Sequence, residues 1–425
     1  MDTQPGGGAS RGSFLARRGI GKDVAVLALA RFFETVAAGV VVPILPLFLV
    51  GLSPGPFAGL PEETLTGIVF FAFGVAMTAG QYVFGRLADR AGRYKPGLLV
   101  GIGSFALLSL TYVRIESYVS LLGVRFLQGA ALGLSISCIW AILVERSSET
   151  KRGASMGFYT SVQMLGLAAG PLLGGWVTEL WGERAAFLAA AGLGGLTGLL
   201  MALLVRDVQA SPARDRVVAE NGTPASVFLY LATAVFTQVF AVTMIIAYFP
   251  YYAREFGARP GELAVVFSVL VLARFLFQYP FGVLSDRFGR KPFLVGGLVS
   301  MLPIMAGLAF AGSVRSLVLF RALQGAATAA VVASAYALAG DRSDPGRRAS
   351  QLGIVGMGFT AGVTAGPLFA GLLVRLGRPV PFLLAAAAAA AVAVLVGVAV
   401  GESRGASVAV LPPSDTRVVQ STLRE

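Results

Sequence analysis

Glu34 is the one clear carboxylate set deep inside an apolar run, and Arg31 lies one helical turn before it. A carboxyl so placed can do proton chemistry. Apolar surroundings favour the neutral acid and an adjacent guanidinium favours the carboxylate, so a change of neighbours between two conformations makes the group take up or release a proton. Two readings stand side by side: Glu34 carries a proton or contacts a cationic substrate, or Arg31 and Glu34 form a self-contained i, i+3 ion pair. The other charges inside apolar runs are Arg125, Arg274 and Arg321. Arginine keeps its proton, so these can tune Glu34 or hold an anion but cannot carry a proton themselves.

Other chemistries lack their residues. The chain has no histidine and one cysteine, Cys138, which removes the commonest metal ligand and acid-base group and any internal disulfide. No nucleophile-base set or metal-ligand cluster stands out, so the expectation is no catalytic residue, no metal and no enzyme. No Walker-type phosphate loop is present; a proton gradient, rather than ATP or a bound cofactor, is the expected energy source.

The elements that must hold these charges are membrane helices. Of 425 residues, 56% are hydrophobic and 13% charged, and the mean hydropathy is +0.76, which leaves too little polar surface for a soluble globule. Apolar runs long enough to cross a bilayer fall at 23–50, 63–85, 97–113, 118–144, 153–178 and 185–205, then at 227–252, 262–284, 293–312, 316–340, 349–374 and 380–400. The first is too long for the core of a cleaved signal and is read as a retained span. A net charge of +12 reads as topology rather than nucleic-acid binding. With the N-terminus in the cytoplasm, 23 of the 34 Lys and Arg residues fall on that side, and Arg114, Arg184, Arg254, Arg259, Arg315, Arg375 and Arg378 on the other. The expected organisation is a cytoplasmic tail (1–22), a six-helix bundle (23–205), a cytoplasmic linker (206–226), a second six-helix bundle (227–400) and a cytoplasmic C-terminal tail (401–425). The alanine run from Ala385 to Ala391 reads as a close-packed peripheral helix.

The two bundles are copies. Gln81-Tyr-Val-Phe-Gly-Arg-Leu-Ala-Asp-Arg-Ala-Gly-Arg recurs as Gln278-Tyr-Pro-Phe-Gly-Val-Leu-Ser-Asp-Arg-Phe-Gly-Arg, with nine agreements at an offset of 197. Arg125-Phe-Leu-Gln-Gly-Ala-Ala recurs as Arg321-Ala-Leu-Gln-Gly-Ala-Ala, and Glu145-Arg146-Ser147 as Asp341-Arg342-Ser343, at an offset of 196. An even number of spans in each copy gives both the same orientation, related by an axis along the membrane normal, with a pathway expected between them. The fold class expected is an all-α integral membrane protein of twelve transmembrane helices in two pseudo-symmetric six-helix bundles, with both termini cytoplasmic. Arg274 breaks the symmetry, because Met77 occupies the matching position.

Gly85-Arg-Leu-Ala-Asp89-Arg90-Ala-Gly92-Arg93, duplicated in register within twelve spans, resembles the signature loop of the major facilitator superfamily, and the resemblance covers the chain from about Arg31 to Gly401. It implies the major facilitator fold and a cytoplasmic gate formed by Gly85, Asp89, Arg90, Gly92, Arg93 and Glu145, with Gly282, Asp286, Arg287, Gly289, Arg290 and Asp341 in the second copy. In the family the first-half aspartate faces the N-terminus of a helix from the other half, where free N–H groups and the helix dipole favour a carboxylate. Arg93 is then the expected partner of Asp89 and Glu145, and Arg290 of Asp286 and Asp341. Gly85 and Gly282 are read as places of close helix approach, Gly92 and Gly289 as turn residues. A basic loop that only sets topology is the bland alternative.

Gly157-x8-Gly166-x3-Gly170-Pro171-x2-Gly174-Gly175 in the fifth span resembles the antiporter motif of the drug-efflux branches. Small-residue packing alone also explains it. Glu34-Thr-Val-Ala-Ala-Gly39-Val-Val-Val-Pro43-Ile-Leu-Pro46 looks like the first-helix signature of proton-coupled drug exporters of the tetracycline type, with glutamate where those pumps usually have aspartate. Arg125 in Arg-x-x-Gln-Gly resembles the family motif proposed to aid proton transfer, which implies that it tunes Glu34 or a bound anion.

Amides and phenols among apolar walls suit either an amphiphilic substrate or ordinary interhelical hydrogen bonds. The cavity candidates are Gln128, Tyr159 and Gln163, with Gln238, Tyr248, Arg274, Gln278, Arg321, Gln324 and Tyr336. Arg274 is read as a substrate contact or as half of a structural pair. Taken with the resemblance, these features imply a monomeric multi-pass transporter of the cell membrane, its partners a small molecule, protons and lipid, exporting amphiphilic organic compounds against a proton flux. Uptake of a sugar or organic anion is the alternative, since four arginines against one glutamate would suit a negative substrate; a channel or receptor fits less well.

Overall fold

The computed structural model describes residues 22–146, 152–207, 224–344 and 347–401. Nearly all of the two predicted tails, and the linker over 208–223, lie outside the described residues. Among those described, the regular structure is helical apart from one isolated bridge between Ser53 and Ser117.

The first half comprises α1 (Lys22–Val50), α2 (Glu62–Ala91), α3 (Lys95–Thr111), α4 (Tyr118–Arg146), α5 (Arg152–Trp181) and α6 (Glu183–Leu204). The second comprises α7 (Ala225–Phe256), α8 (Pro260–Phe288), α9 (Arg290–Ala309), α10 (Val314–Arg342), α11 (Arg348–Leu373) and α12 (Val380–Ala399). Each of the twelve runs read from the sequence corresponds to one helix. α7 tightens into a 3-10 turn over Met244–Tyr248 before resuming at Phe249. Pro250 lacks the N–H that would bond to the carbonyl of Ile246, so the regular ladder cannot continue there.

Among the described residues, eleven helices are long and apolar enough to cross a membrane. α5 is not among them: its 30 residues suffice in length, but six are glycine, which contributes little hydropathy. Its composition serves packing instead.

The packing repeats between halves. α1 packs on α5 and α6, α2 on α4, and α3 on α4 and α6; correspondingly α7 packs on α11 and α12, α8 on α10, and α9 on α10 and α12. Two crossed pairs join the halves, α2 with α11 and α5 with α8. The symmetry holds residue by residue, since Gly371 lies against Glu63 and Thr64 while its counterpart Gly175 lies against Pro260 and Gly261. At that end the buried second-half core around Ile245, Tyr248 and Met301 also takes in Val42, Leu47 and Phe70 of the first half. Lipid is as apolar as these side chains, so close van der Waals fit rather than water exclusion holds such helices together.

Candidate functional site

Glu34 and Arg31 meet on α1. The Glu34 carboxylate accepts from Arg31 Nη1 at 2.8 Å and from Ser135 Oγ of α4 at 2.9 Å, and both charged side chains are buried. Tyr159 of α5, also buried, lies within electrostatic range of both and stacks edge-on against Trp140. The antiporter-motif glycines hold this helix in place. A β-carbon at Gly166, Gly170 or Gly174 would stand 2.7, 2.7 or 2.4 Å from the carbonyl oxygens of Phe32, Val36 and Val40, so α5 rests directly on the backbone of α1. Pro171 packs against Gly39 of α1. Most of the motif therefore works inside the first half. Only Gly175 meets the other half, and Gly157 faces open space.

Arg125 stands apart from this centre, contrary to the expectation that it tunes Glu34. It lies ten residues from Ser135 along α4, about 15 Å at the helical rise. There its guanidinium bonds Gln128 at 3.3 Å and stacks 4.2 Å from the Phe73 ring centroid. Gln128 in turn accepts from Tyr112 at 2.5 Å and donates to Ser109 at 3.0 Å.

The second half repeats this arrangement. Arg321 donates to Gln324 at 2.6 Å and to the carbonyls of Val242 and Val266 at 2.8 and 3.3 Å. Gln324 reaches the Ala241 carbonyl, and Gln238 donates to Thr328 at 2.9 Å. Tyr248 donates to the Arg378 carbonyl near the C-terminal end of α7. Gln128, Gln238, Tyr248, Arg321 and Gln324 are each buried and bonded within their own half, the interhelical hydrogen bonding that stood as the alternative to a substrate contact.

Arg274, Gln278, Tyr336 and Gln163 remain open. Arg274 on α8 is half-buried, its Nε has no hydrogen-bond partner, and its guanidinium lies 5.5 Å from the Phe359 ring centroid of α11. Tyr336 of α10 is within electrostatic range, and Gln278, one turn further along α8, is exposed. A separate apolar cleft of about 620 Å³ runs between α8, α9 and α10, past Phe281, Phe293 and Leu323, and none of the predicted site residues lines it.

The two ends of the molecule differ. At the end bearing the duplicated loops, the Arg93–Asp207, Arg290–Asp286 and Arg290–Asp341 pairs each lie within one half. Arg290 holds Asp286 at 3.1 Å and Asp341 at 2.5 Å, the geometry expected of it. Arg93 instead pairs with Asp207, after α6, at 3.9 Å, and Asp89 accepts from Tyr94 at 2.9 Å. Burial first, and the Asp89 bond second, push the Tyr94 phenol up to about 12. Asp207 wins the loop because it also accepts the Lys95 backbone N–H, at 3.2 Å. Gly92 and Gly289 adopt φ of +67° and +102°, as turns here require. Gly85 and Gly282 are not points of forced approach: a β-carbon would meet Ser137 at an ordinary 3.4 Å in one case and open space in the other. Arg90 and Arg287 are exposed.

At the opposite end ion pairs cross between halves. Arg254 meets Glu62 at 2.5 Å and Glu63 at 3.7 Å, and Glu179 of α5 accepts the Gly261 N–H of α8 at 3.2 Å with Arg259 3.9 Å away. Thr64 donates to the Gly371 carbonyl at 2.6 Å. Sequence reasoning missed this set, as it missed Ser135, Asp207 and Tyr94. One signal was available: Arg254 and Arg259 are among the few basic residues on the sparse side of the charge asymmetry.

Two repeated six-helix halves of membrane-spanning helices, joined at one end by ion pairs that cross between them, are the architecture of a multi-pass membrane transporter. The chain belongs to the Major Facilitator Superfamily, whose family model matches residues 27–232 and 231–421. It is similar to the multidrug resistance protein MdtG of Enterobacter lignolyticus, 26% identical over 328 residues, 75% of this chain and 77% of that protein. The multi-drug resistance efflux pump PmrA of Streptococcus pneumoniae is 29% identical over 149 residues, 34% of this chain and 37% of the pump. Such bacterial relatives place it in the cell membrane. Among solved structures, a bacterial homolog of the human lysosomal transporter Spinster superposes with a TM-score of 0.66 at 15% identity, covering 92% of this chain and 96% of the other. A POT family transporter gives 0.70 at 14% identity, covering 88% and 95%.

Proposed function

We propose that the protein is a proton-coupled exporter of small amphiphilic organic compounds, in which two halves rock about a central cavity. The observation that carries this reading is the buried Glu34 carboxylate, shared by Arg31 and Ser135 on a helix seated against the antiporter-motif glycines. Its bonds come from two helices, α1 and α4, so a relative shift of these helices changes whether the carboxyl prefers to hold a proton. The efflux relatives support the direction of transport. No cofactor is needed; the proton gradient supplies the energy, and one chain suffices as the working unit.

The basic-residue asymmetry supports an orientation with the duplicated loops, the linker 206–226 and both tails, 1–22 and 401–425, in the cytoplasm. The arrangement closed at the Glu62 end is then the inward-open one. Uptake of an organic anion is the second reading, favoured by the four arginines within the spans.

Transport in proteoliposomes with an imposed pH gradient tests this, using cationic, neutral and anionic compounds. The expected result is uphill movement that dissipates the proton gradient and is abolished in Glu34→Gln, with downhill exchange retained. Gradient-driven efflux undiminished in that variant would remove Glu34 from the mechanism. Movement of substrate in the direction of the protons would establish uptake.

A further inference from the structure

The second half holds no carboxylate in the interior of its spans; its acidic residues there, among them Glu262, Asp286 and Asp341, stand near helix ends. It nevertheless carries two guanidiniums. Arg321 has three oxygen acceptors, which accounts for it as structure. Arg274 has none among the described residues, and its Nε is buried without a partner. A permanent cation left this way inside a membrane protein is costly, and such residues face a wet cavity or a ligand.

The surroundings of Arg274 are those of a ligand site. Its guanidinium lies near Phe359 of α11 and within electrostatic range of Tyr336 of α10. On α8, residues 276–280 are exposed without interruption, which is more than one full turn. That stretch is left largely uncovered by neighbouring helices, and the Arg274 side of it is the side directed at α10 and α11. Gln278 stands one turn from Arg274 on the same face and offers an amide donor. Met77 at the repeat-equivalent position shows that the fold itself does not require a charge there.

We propose that Arg274, with Gln278, Tyr336 and Phe359, binds the anionic group of a transported organic monoanion, a carboxylate-sized charge on an apolar body. The guanidinium and amide take the oxygens, and the Phe359 ring takes the adjoining apolar surface. This rests on the reading of the protein as a transporter of small amphiphilic molecules. It narrows that reading, because a cationic substrate would meet uncompensated positive charge in this half. If the coupled ion is a proton moving inward, outward movement of a monoanion carries charge in the same electrical sense, so the cycle is electrogenic.

Binding to the purified protein in lipid nanodiscs, without any gradient, tests the site. The probes are 2-naphthoate, 2-naphthamide and 2-naphthylmethylamine, which share one apolar body. Wild type is expected to bind the anion about tenfold or more tightly than the amide. Arg274→Gln removes that preference while leaving amide binding within about twofold, and Arg274→Lys retains part of it. Should Arg274→Gln fail to give monodisperse protein, Arg274→Lys and Gln278→Leu serve: both must weaken the anion and spare the amide. Equal binding of anion and amide by wild type, binding of the amine alone, no binding of any probe, or an anion preference that survives Arg274→Gln overturns the proposal. Export of a cation driven by the proton gradient in the proteoliposome assay would sink this site yet leave proton-coupled export standing. Anion binding without gradient-driven transport would do the reverse.

Discussion

Arg254 Nη1, near the end of α7, lies 2.5 Å from Glu62 Oε2 at the start of α2, so one ion pair ties the second half of the molecule to the first. Glu63, Glu179 and Arg259 extend the link across the same face. At the other end, among the described residues, the acidic gate residues Asp89 and Asp286 bond within their own halves. The molecule is therefore fastened at one end by contacts that must break before it can open there.

Removing that fastening shifts the conformational balance. These arginines are more than half exposed, and exposed pairs contribute about 0.2–1 kcal/mol each, so Arg254→Gln with Arg259→Gln moves the population about twofold to thirtyfold toward opening at the Glu62 end. Spin labels at Glu116 and Arg375 read the change as a longer distance. An unchanged distance distribution would mean that small-residue packing alone keeps this end shut.

The buried pair on α1 is a different case. Glu34→Gln leaves Arg31 charged, buried and without its carboxylate, a loss of about 3–5 kcal/mol. Arg31→Gln combined with Glu34→Gln removes both charges and is expected to unfold at a higher temperature than Glu34→Gln alone. Thermal unfolding in nanodiscs gives the comparison, and a double variant less stable than the single would show that the two charges do not act as a pair.

Two glycines of one motif separate packing from signature. Gly170→Ala places a methyl 2.7 Å from the Val36 carbonyl and forces α5 off α1, costing about 1–3 kcal/mol and most of the transport activity. Gly157→Ala meets nothing within 4 Å and leaves both unchanged. Equal losses in the two would show that the motif acts through something other than this contact.

Tyr94→Phe takes the donor from Asp89 and weakens the present arrangement of the first gate by about 1.5–3 kcal/mol, the range for a hydrogen bond to a charged group. The phenol is raised in the folded protein, so its contribution is whole below the ordinary tyrosine value of about 10 and is lost as pH rises through about 12. The stability difference between wild type and Tyr94→Phe, measured by denaturation, should stay flat from pH 6 to 9 and shrink only in strong alkali. A difference that fades near neutrality would point to another group.

The helices, their number and the duplication were legible because each depends on residues close in the chain: apolar runs of spanning length, prolines and glycines at turns, and a repeat at constant offset. The Arg31–Glu34 pair was legible for the same reason, being one turn of one helix. The amide candidates were not. A glutamine inside a span looks the same whether it faces a cavity or a neighbouring helix, and Gln128, Gln238 and Gln324 prove to be bonded to their neighbours.

By itself the sequence determined the twelve-helix duplicated architecture, the basic asymmetry of its loops and the presence of charge within the spans, since composition and local spacing suffice for these. The tertiary structure decided which end is fastened, that Arg125 serves Gln128 rather than Glu34, and that Arg274 alone of the four lacks an acceptor. Those outcomes turn on residues such as Glu62 and Arg254, which lie 192 positions apart and meet only when two rigid bundles take one particular orientation. No local pattern encodes that orientation. It is set by the summed fit of small residues along α2 with α11 and α5 with α8.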